Sequence, residues 1–485
     1  MNQHASFDPA GPDRPLVLDI DGTLLRTDML FENLWAGLGR DAWGTIRAVL
    51  THLRDRAALK HALAWQAAPD TEMMPVNEEV LALAKAAQAA GREVILASAS
   101  NDILVENLAR THGLEGAHMS SDAVVNLKGG AKADALVERY GRGGFDYAGD
   151  SHADRAVWEA AATCILVGRP REEAAELRAE GHEVIEIAAP SQRTALIRAL
   201  RPHQWVKNVL LLLPLIAAHT AAWAPVLQVA LGIAAFSAAA SCIYIVNDLL
   251  DLDADRRHAT KRSRPFAAGT LSIPVGMAAC FALGGFALGT GLILGAAFAL
   301  TLAVYMSLSL AYSLRLKRMR WVDVAVLATL YTLRVVAGAA AGGIPATITM
   351  LVFAWPVFLS LGCVKRMTEL AKAKTDERLP GRGYAREDMD DLHTVAWLGA
   401  GGALTIFLLY GFSEQAVTLY PDRWLLMAAL VPLGLWLHRM IRLGRAGRMD
   451  YDPIVFAMRD KIGLSLVILT ITIMFWAAGL WGQWF

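Results

Sequence analysis

The sequence predicts two fold classes in one chain: an N-terminal α/β domain with a Rossmann-like parallel sheet, and a C-terminal all-α membrane domain of about nine transmembrane helices. The length of 485 residues exceeds that of one ordinary domain. Residues 1 to about 200 mix charged residues with short apolar runs, whereas long apolar segments dominate the remainder. We therefore expect domains at 13–190 and 201–485, joined by a linker at 191–200.

Charge and cysteine usage narrow the functional class. The 46 basic and 46 acidic residues balance, so no global field favours nucleic acid as a partner. The four cysteines lack metal-type spacing and are predicted to be small core residues in a reducing compartment. The first fifteen residues contain no apolar run typical of a signal peptide, so we expect the N-terminal domain in the cytoplasm.

Short apolar runs in the first domain predict a parallel sheet. Three of them, at 16–20, 93–97 and 145–148, precede polar motifs, and runs after Cys164 and near Val184 extend the sheet. The polar motifs are DIDGT from Asp19, the serine Ser98, and GDSHAD from Gly149, and Lys132 begins a helix between the last two. Apolar residues at helical spacing over 28–90 predict a small helical cap.

These four motifs, in this order, resemble those of the haloacid dehalogenase superfamily of phosphotransferases. The resemblance implies that Asp19 is the nucleophile and Asp21 the acid/base, that Ser98 holds the transferred phosphoryl group, and that Lys132 neutralises the aspartyl-phosphate. It also implies an Mg²⁺ site formed by Asp19, Asp21, Asp150 and Asp154. Small caps in this fold set substrate size, but the sequence does not name the substrate.

Nine apolar segments of the second domain are predicted to span a membrane, although the first and third are short. Their approximate bounds are 208–223, 225–246, 273–289, 291–312, 322–342, 347–364, 394–412, 423–438 and 462–482. The loops after the even-numbered spans are rich in Lys and Arg, and the other loops are nearly free of them. This asymmetry predicts an integral protein of the cytoplasmic (inner) membrane. The loops after even-numbered spans and the N-terminal domain are expected in the cytoplasm, and the C-terminus on the outer side.

An acidic segment follows the second predicted span. Asn247, Asp251 and Asp255 are spaced i, i+4, i+8, with Asp248 beside them, so on a helix their oxygen atoms lie on one face. Like charges this close require a cation, and oxygen ligands with open positions suit Mg²⁺ that carries a substrate's phosphates. Arg262 and Arg264 follow and could hold the same phosphates.

Polar residues recur within and beside the later apolar runs. Asp323 and Arg334 are eleven residues apart, close to three helical turns, so they share one helix face. An arginine inside an apolar run marks a functional site by default. The candidate substrate-binding residues outside the acidic segment are Lys207, Asn208, Tyr312, Lys317, Asp323, Arg334, Lys365 and Arg366.

The segment NDLLDLDADRRH, followed by basic residues and RP, resembles the first aspartate-rich motif of the UbiA superfamily of intramembrane prenyltransferases. RPHQWVKN, YSLRLK, YTLR and KRMTEL resemble motifs of its polyprenyl-phosphate phosphoribosyltransferase branch. The D-x-x-x-D motif that aromatic-acceptor members carry after span six is absent from KRMTELAKAKTDER. This branch transfers 5-phosphoribose from phosphoribosyl diphosphate to a polyprenyl phosphate with Mg²⁺, which implies a catalytic role for Asp251.

Three functions follow from these patterns. The leading hypothesis is a bifunctional enzyme in which the head hydrolyses a phosphomonoester, such as the 5-phosphate of the lipid-linked product. A second is transfer of a prenyl group from a prenyl diphosphate to a small or aromatic acceptor. A third is a nine-span transporter or scaffold with a degenerate head, which the dense carboxylate cluster disfavours. The sequence leaves open the length of the lipid and whether the protein forms a homo-oligomer.

Overall fold

The computed structural model describes residues 14–67, 70–114, 118–121, 129–169, 171–373, 378, 382–449 and 452–480. The chain forms two compact units. The head unit comprises Met1–Leu200 and Tyr244–Ala279, and the helical unit comprises Arg201–Ile243 and Cys280–Phe485. The segment Tyr244–Ala279, which carries the acidic motif, thus belongs to the compact unit of the head, although the sequence places it within the membrane domain.

Six parallel strands form the sheet of the head unit. They are β1 Leu16–Leu18, β2 Val94–Asn101, β3 His118–Ser121, β4 Asp146–Gly149, β5 Thr163–Val167 and β6 Glu183–Ile187. Their order is β3-β2-β1-β4-β5-β6, and every neighbouring pair is parallel. The predicted Rossmann-like α/β architecture is therefore confirmed. The sequence did not predict β3, because the polar stretch HMSS shows no apolar alternation.

The first strand shows why this sheet needs helices on both faces. Leu16 and Leu18 are buried in one apolar cluster, and Val17 is buried in another. Side chains of a strand alternate between faces, so both faces of β1 lie within hydrophobic cores. The helices of the first 200 residues are α1 Met29–Arg40, α2 Ala42–Thr51, α3 Arg56–Gln66, α4 Glu78–Ala89, α5 Asp102–His112, α6 Gly130–Tyr140, α7 Arg155–Trp158, α8 Arg171–Ala179 and α9 Gln192–Leu200.

The region predicted to form a cap is helical, as expected. Asp28 begins α1, because its side chain accepts hydrogen bonds from the amides of Leu30 and Phe31 and so satisfies two donors of the first turn. Asp41 and Asp55 cap α2 and α3 in the same way. The predicted linker at 191–200 consists almost entirely of helix α9.

The remaining helices begin with a 3₁₀ segment at Pro202–Leu212. They are α10 Leu213–Ala217, α11 Trp223–Leu250, α12 Leu252–Arg257, α13 Ile273–Leu294, α14 Ala296–Leu314, α15 Val322–Ala341, α16 Ile348–Lys372, α17 Met389–Tyr410, α18 Glu414–Leu419, α19 Arg423–Ala428, α20 Leu430–Arg445, α21 Pro453–Ala457 and α22 Lys461–Ala477. In the helical unit, α16 packs against α15, α17 and α20 around a continuous apolar core.

Seven helical segments within the described residues have the length and composition needed to cross a membrane. They are Trp223–Leu250, Ile273–Leu294, Ala296–Leu314, Val322–Ala341, Ile348–Lys372, Arg386–Tyr410 and Arg423–Arg445. The predicted number of nine is not confirmed. The first predicted span, at 208–223, contains the end of the 3₁₀ segment and the short α10. Pro214 lies in the first turn of α10, where proline is tolerated, but it cannot continue an α-helix from upstream. The last is the apolar α22, which has only 17 residues.

A close approach of backbones fixes the 3₁₀ segment on α15. A Cβ atom at Gly338 of α15 would lie 2.0 Å from the carbonyl oxygen of Leu211, so only glycine allows this contact. Small residues at helix contacts are common in membrane proteins, because packing there replaces the hydrophobic driving force. The contact positions Lys207 and Asn208, which lie earlier in the same 3₁₀ segment.

A buried ion pair joins the cap to the segment that carries the acidic motif, within the head unit. Arg256 of α12 donates two hydrogen bonds to Glu32 of α1, from Nη2 to Oε1 at 2.6 Å and from Nη1 to Oε2 at 3.1 Å. Both side chains are at most 3% exposed. Thr27 also donates to Glu32, and Arg256 Nε donates to the carbonyl of Ala267. This bidentate geometry compensates for the loss of hydration of both charges.

Replacement of Glu32 by glutamine should destabilise the head unit strongly, because it leaves the buried guanidinium of Arg256 without a counter-charge. We expect the free energy of unfolding to fall by about 3–5 kcal/mol. Denaturation of the full-length protein in detergent, followed by hydrogen exchange in the head strands, measures this change.

The matched control is Glu106→Gln, which removes one partner of the exposed Glu106–Arg110 pair and should have little effect. Combining Glu32→Gln with Arg256→Met should restore part of the lost stability, because a buried apolar side chain carries no desolvation cost. Equal effects of Glu32→Gln and Glu106→Gln would contradict the structural importance of the pair.

Candidate catalytic sites

Three carboxylates converge at the carboxyl ends of two central strands of the head. Asp19 follows β1, Asp150 follows β4, and Asp154 lies one turn further along. Each offers an oxygen atom within 4.8 Å of the others. From β1 the strand order runs outward to β3 on one side, and from β4 it runs outward to β6 on the other. Ligands of open α/β folds bind at such a switch point, at the carboxyl ends of the strands. Three of the four carboxylates predicted to bind Mg²⁺ thus lie together, whereas Asp21 is not part of this group, and metal binding stays a prediction.

The electrostatics of the cluster favour a cation. Burial raises the pKa of Asp19 to about 6, although Lys132 opposes the shift. Burial also raises the pKa of Asp150 to about 8, and the charges of Asp19 and Asp154 add to the effect. A Cβ atom at Gly22, where φ is +81°, would lie 2.1 Å from Asp150 Oδ2, so glycine is required beside this carboxylate. Crowded carboxylate oxygens of this kind suit Mg²⁺.

Lys132 occupies the position that the motif order predicted. Its Nζ lies 2.6 Å from Asp19 Oδ1 and 3.6 Å from Asp154 Oδ1, and the residue is only 5% exposed. Burial opposes its charge, but the two carboxylates outweigh burial and raise the pKa of Lys132 above its ordinary value. Lys132 therefore stays cationic and can compensate for the charge of a phosphoryl group on Asp19.

Tyr147 on β4 completes this network, and sequence reasoning did not identify it. Lys132 Nζ donates to Tyr147 Oη at 2.9 Å, and Tyr147 Oη donates to Asp154 Oδ1 at 2.9 Å. The neighbouring Ser151 donates to Asp154 Oδ2 from its amide and its hydroxyl. These bonds hold the Asp154 carboxylate in one orientation. A tyrosine inside a strand has no motif signal, because its contacts depend on the fold.

Asp21 and Ser98 differ in their relation to the site. Asp21 Oδ1 accepts a hydrogen bond from the amide of Met29 at 2.8 Å, so the first turn of α1 orients it. Asp21 lines the cavity with Asp19. Ser98 is buried in β2 at 1% exposure and is not part of the cavity wall that the described residues form. Its predicted contact with a phosphoryl group stays a prediction.

The cavity around these groups has a volume of about 300 Å³. Its wall includes the catalytic candidates Asp19, Asp21 and Lys132 and two further cations, Arg26 and Lys60. Its wall consists of Asp19, Asp21, Gly22, Arg26, Thr27, Asp28, Lys60, Gly129, Lys132, Asp150, Ser151, Ala153, Asp154, Ser272, Ile273 and Pro274. The volume and the polar floor suit a small phosphorylated group.

The acidic motif Asn247–Asp255 does not lie on one continuous helix as predicted. Helix α11 ends at Leu250, Asp251 lies between the helices, and α12 begins at Leu252. The amide of Asp251 still bonds to the carbonyl of Asn247, and the amide of Asp255 to that of Asp251, so the i, i+4 spacing is largely kept. The break is local, because backbone hydrogen bonds still join the motif residues across it.

Arg264 bridges two carboxylates of this motif. Its Nη1 lies 3.1 Å from Asp248 Oδ1 and 2.6 Å from Asp255 Oδ2, and both aspartates are 2% exposed. Burial raises the pKa of Asp255, although Arg264 opposes the shift. Asn247 Oδ1 is buried without a hydrogen-bond partner among the described residues, as expected of an oxygen placed for a ligand. These oxygen donors suit Mg²⁺. Arg262, by contrast, is exposed.

The helical unit contains a separate network centred on Asp323. Arg366 pairs with Asp323 at 2.5 Å, and both side chains are fully buried. Tyr312 Oη donates to Asp323 Oδ1 at 2.9 Å and accepts from Arg366 and Arg382. Arg366 also pairs with Glu369. The structure thus brings Tyr312, Asp323 and Arg366 together as predicted candidates.

Arg334 has different partners from Asp323, although both lie on α15. Its Nε donates to Asn208 Oδ1 at 3.1 Å, and its Nη2 donates to Tyr305 Oη at 3.0 Å. The guanidinium also lies over the rings of Phe236, Tyr305 and Tyr331, 4.9 to 5.6 Å from their centres. Asp323 and Arg334, which the spacing places on one helix face, therefore do not share a hydrogen-bond network.

Asp452 joins two of the predicted lysines. Lys207 Nζ and Lys365 Nζ each lie 2.9 Å from Asp452 Oδ2, and Tyr331 Oη donates to Asp452 Oδ1 at 2.5 Å. Sequence reasoning missed Asp452, because it is remote in sequence from both lysines and stands alone before a short helix. Lys317 lies in the 3₁₀ turn Leu316–Arg318 and is half-buried.

Among the described residues, hydrogen bonds do not join these three networks, but Lys207 interacts electrostatically with Arg334 and Lys365, and Lys365 with Arg366, so the helical unit has a cluster of five cations and three carboxylates. The cations are Lys207, Arg334, Lys365, Arg366 and Arg382, and the carboxylates are Asp323, Glu369 and Asp452. The excess of positive charge makes the cluster a candidate site for an anion that carries several charges.

Comparisons with known proteins match both parts of the chain. A sequence model of the UbiA prenyltransferase family matches residues 209–460. The uncharacterized protein y4nM of Sinorhizobium fredii is 37% identical over 454 residues, which cover 92% of this chain and 88% of that protein. The nodulation protein NoeC of Azorhizobium caulinodans is 36% identical over 280 residues, which cover 56% of this chain and 88% of that protein.

A third relative carries a name that describes an activity. The decaprenyl-phosphate phosphoribosyltransferase of Mycobacterium tuberculosis is 30% identical over 279 residues, which cover 56% of this chain and 90% of that protein. The family match and the seven apolar helices identify the chain as an integral membrane protein.

The high pKa of Asp150 predicts that stabilisation of the head by Mg²⁺ increases with pH. Its pKa rises from 3.8 to about 8 on folding, so between these values the folded state holds a proton that the unfolded state releases. Without metal, stability therefore falls as the pH rises through this window. Mg²⁺ must displace the proton, so it should raise the melting temperature more near pH 8 than near pH 6.

Thermal unfolding of the full-length protein with and without Mg²⁺ at both pH values measures this difference. In Asp150→Asn, which cannot ionise, the additional stabilisation near pH 8 should shrink to the smaller part that comes from Asp19, whose pKa is about 6. A shift that is independent of pH, or that persists unchanged in Asp150→Asn, would mean that Asp150 is not a metal ligand.

Proposed function

This chain belongs to the UbiA prenyltransferase family, and from that premise we propose that it transfers 5-phosphoribose from phosphoribosyl diphosphate to a polyprenyl phosphate. The observation that carries this proposal is the cationic cluster of the helical unit, in which five cations face three carboxylates. Phosphoribosyl diphosphate has three phosphate groups, and a prenyl diphosphate has two. Relatives named decaprenyl-phosphate phosphoribosyltransferase add support.

The proposed reaction exchanges one bond at the anomeric carbon of ribose. An oxygen atom of the polyprenyl phosphate forms a bond to C1, the bond from C1 to the diphosphate oxygen breaks, and diphosphate leaves with the electron pair. Asn247, Asp248, Asp251 and Asp255 would hold Mg²⁺, which neutralises charge on the leaving diphosphate when bound. Arg264 supplies a guanidinium beside the same carboxylates.

The helical unit contains further residues that are proposed to bind phosphate groups. Lys207 and Lys365 share the single carboxylate of Asp452, so their two charges exceed that of their partner. Among the described residues, Arg334 donates hydrogen bonds to Asn208, Tyr305 and the backbone carbonyl of Leu330, which are all neutral. A buried guanidinium with neutral partners favours an anionic ligand. Tyr312 and Lys317 complete the proposed binding residues.

The alternative is transfer of a prenyl group from a prenyl diphosphate to a small or aromatic acceptor. The family name favours it, although one fold can support many chemistries. Against it, the loop after α16 begins KRMTELAKAKTDER and lacks the second D-x-x-x-D motif. The two functions differ in their donor, so one assay separates them.

Asp251→Asn and Asp248→Asn should each reduce formation of lipid-linked ribose phosphate by at least about a hundredfold, because loss of a metal ligand removes several kcal/mol of transition-state stabilisation. The assay contains purified protein in nanodiscs, Mg²⁺, phosphoribosyl diphosphate and labelled polyprenyl phosphate, with the lipid products separated by chromatography.

Asp253→Asn is the matched control. Asp253 lies in the same segment but outside the motif spacing and is partly exposed, so this variant should retain activity. Consumption of a prenyl diphosphate with an aromatic acid, without reaction of phosphoribosyl diphosphate, would replace the proposal by the alternative. Full activity in both motif variants would refute the metal site.

The head is proposed to hydrolyse a phosphomonoester, with the 5-phosphate of the lipid-linked product as its substrate. Asp19 Oδ would attack phosphorus, Lys132 would compensate for the charge of the aspartyl-phosphate, and Asp21 would protonate the leaving oxygen. Water then releases inorganic phosphate from Asp19. Asp150 and Asp154 would complete the Mg²⁺ site with Asp19 and Asp21. The geometry of Lys132 and the carboxylates supports this chemistry.

In the coupled assay, wild-type protein should release phosphate and yield dephosphorylated lipid-linked ribose, whereas Asp19→Asn should accumulate the 5-phosphorylated lipid. The amide cannot act as nucleophile, so phosphate release should fall by at least about a thousandfold. Asp134→Asn, an exposed position on α6 outside the cavity wall, is the matched control. Identical lipid products from wild type and Asp19→Asn would show that the head acts on another substrate.

The proposed location is the cytoplasmic (inner) membrane, with the head in the cytoplasm and the C-terminus outside. The basic loops after α11, α14, α16 and α20 support this orientation, because Lys and Arg accumulate on the cytoplasmic side.

A further inference from the structure

One wall of the head's cavity comes from the segment that follows the acidic motif. Ser272, Ile273 and Pro274 line the cavity that contains Asp19 and Lys132. Ile273 is also the first residue of α13, and Ile273–Leu294 has the length and composition of a membrane span. The catalytic cavity of a head with a soluble-type fold thus includes the first turn of a membrane helix.

A glycine fixes this wall against the head. Gly269 has a φ of +62°, and a Cβ atom there would lie 2.9 Å from the carbonyl oxygen of Arg26 and 2.9 Å from Pro75 Cβ. Arg26 itself lines the cavity, and its amide donates to the carbonyl of Pro75 at 2.8 Å. Only glycine permits both the backbone conformation and the close approach. The turn before Ser272 is therefore held in one position.

Two further contacts hold the same segment. The amide of Ser272 donates to Gln192 Oε1 on α9 at 3.0 Å. Arg256 bonds simultaneously to Glu32 on the cap and to the carbonyl of Ala267, two residues before Gly269. Two apolar residues of the same segment are also buried, with Phe266 at 2% and Leu271 at 1% exposure. The wall is thus a packed part of the head unit rather than a loosely attached loop.

The composition of the cavity changes from its floor to this wall. The floor consists of carboxylates and Lys132, which suit a phosphate group, whereas Ile273 and Pro274 are apolar and begin a membrane helix. A soluble phosphomonoester needs only the floor. A phosphate on a lipid headgroup also brings an apolar part that must stay at the membrane surface, where such a helix begins.

We propose that Ser272, Ile273 and Pro274 determine the specificity of the head, which acts on phosphomonoesters in the headgroups of membrane lipids and discriminates against the same phosphate in soluble form. This inference rests on the proposed phosphatase activity of the head. The three residues are specificity determinants, and the chemical step stays with Asp19, Asp21 and Lys132.

The test compares two substrates with the same phosphorylated sugar, polyprenylphosphoryl 5-phosphoribose in nanodiscs and free ribose 5-phosphate. Wild-type protein should hydrolyse the lipid-linked form with a kcat/KM at least about tenfold higher, because loss of one apolar contact region costs a factor of this size. Both reactions are followed by phosphate release from the full-length protein.

Pro274→Asp tests the wall directly. An aspartate in the first turn of a helix is well tolerated, so α13 should form, while its charge repels an anionic headgroup. We expect the KM for the lipid-linked substrate to rise by about tenfold with kcat little changed. Val275→Asp is the matched control, because Val275 is exposed in the same turn but is not part of the cavity wall. Pro274→Ala controls for the loss of proline.

The outcomes separate this inference from the function on which it rests. Equal hydrolysis of both substrates by wild type, or equal KM changes in Pro274→Asp and Val275→Asp, would overturn the specificity assignment and leave the phosphatase activity intact. Hydrolysis of neither substrate by wild type would overturn both. Selective hydrolysis of the lipid-linked form, weakened by Pro274→Asp alone, supports the proposal.

Discussion

Carboxylates held away from water are the constraint on which the chemistry of both units depends. Each buried carboxylate requires a cation, since its own hydration is lost. In the head these charges exceed the nearby cation Lys132, which favours a metal ion as a further partner of the carboxylates. In the helical unit the balance is reversed, and the excess of Lys and Arg can bind phosphate directly. One physical rule therefore supports both of the proposed phosphate sites.

The fold could be predicted from the sequence where local patterns carry it. Five of the six strands follow from apolar runs, and the cap helices follow from helical periodicity. The short polar β3 could not be predicted, because its place at the sheet edge depends on pairing with β2. The predicted span at 208–223 stays unconfirmed: it contains a 3₁₀ turn and a short helix instead of one long α-helix, and apolar composition alone does not register the effect of Pro214.

The candidate sites were predictable where their residues share a short motif. Asp19, Asp150 and Asp154 converge because parallel strands end at one edge of the sheet, which the order of motifs already indicates. Asp452 and Tyr147 were missed, because each contributes through a contact between elements remote in sequence. The pairing of Arg256 with Glu32, 224 residues apart, had no sequence signal either. Such contacts depend on tertiary packing, which neither periodicity nor spacing encodes.

The acidic motif has a structural role besides its proposed chemistry, because it lies in the same compact unit as the head. Asp248 and Asp255 hold Arg264, so an alanine at either position would remove a counter-charge from a partly buried guanidinium. Such losses destabilise a fold and can lower activity for reasons unrelated to metal binding. An asparagine keeps the shape and one oxygen acceptor, so it separates the two effects better. The neighbouring Arg256 also combines the two roles of this segment. It holds the cap through Glu32, and it directly follows the proposed metal ligand Asp255.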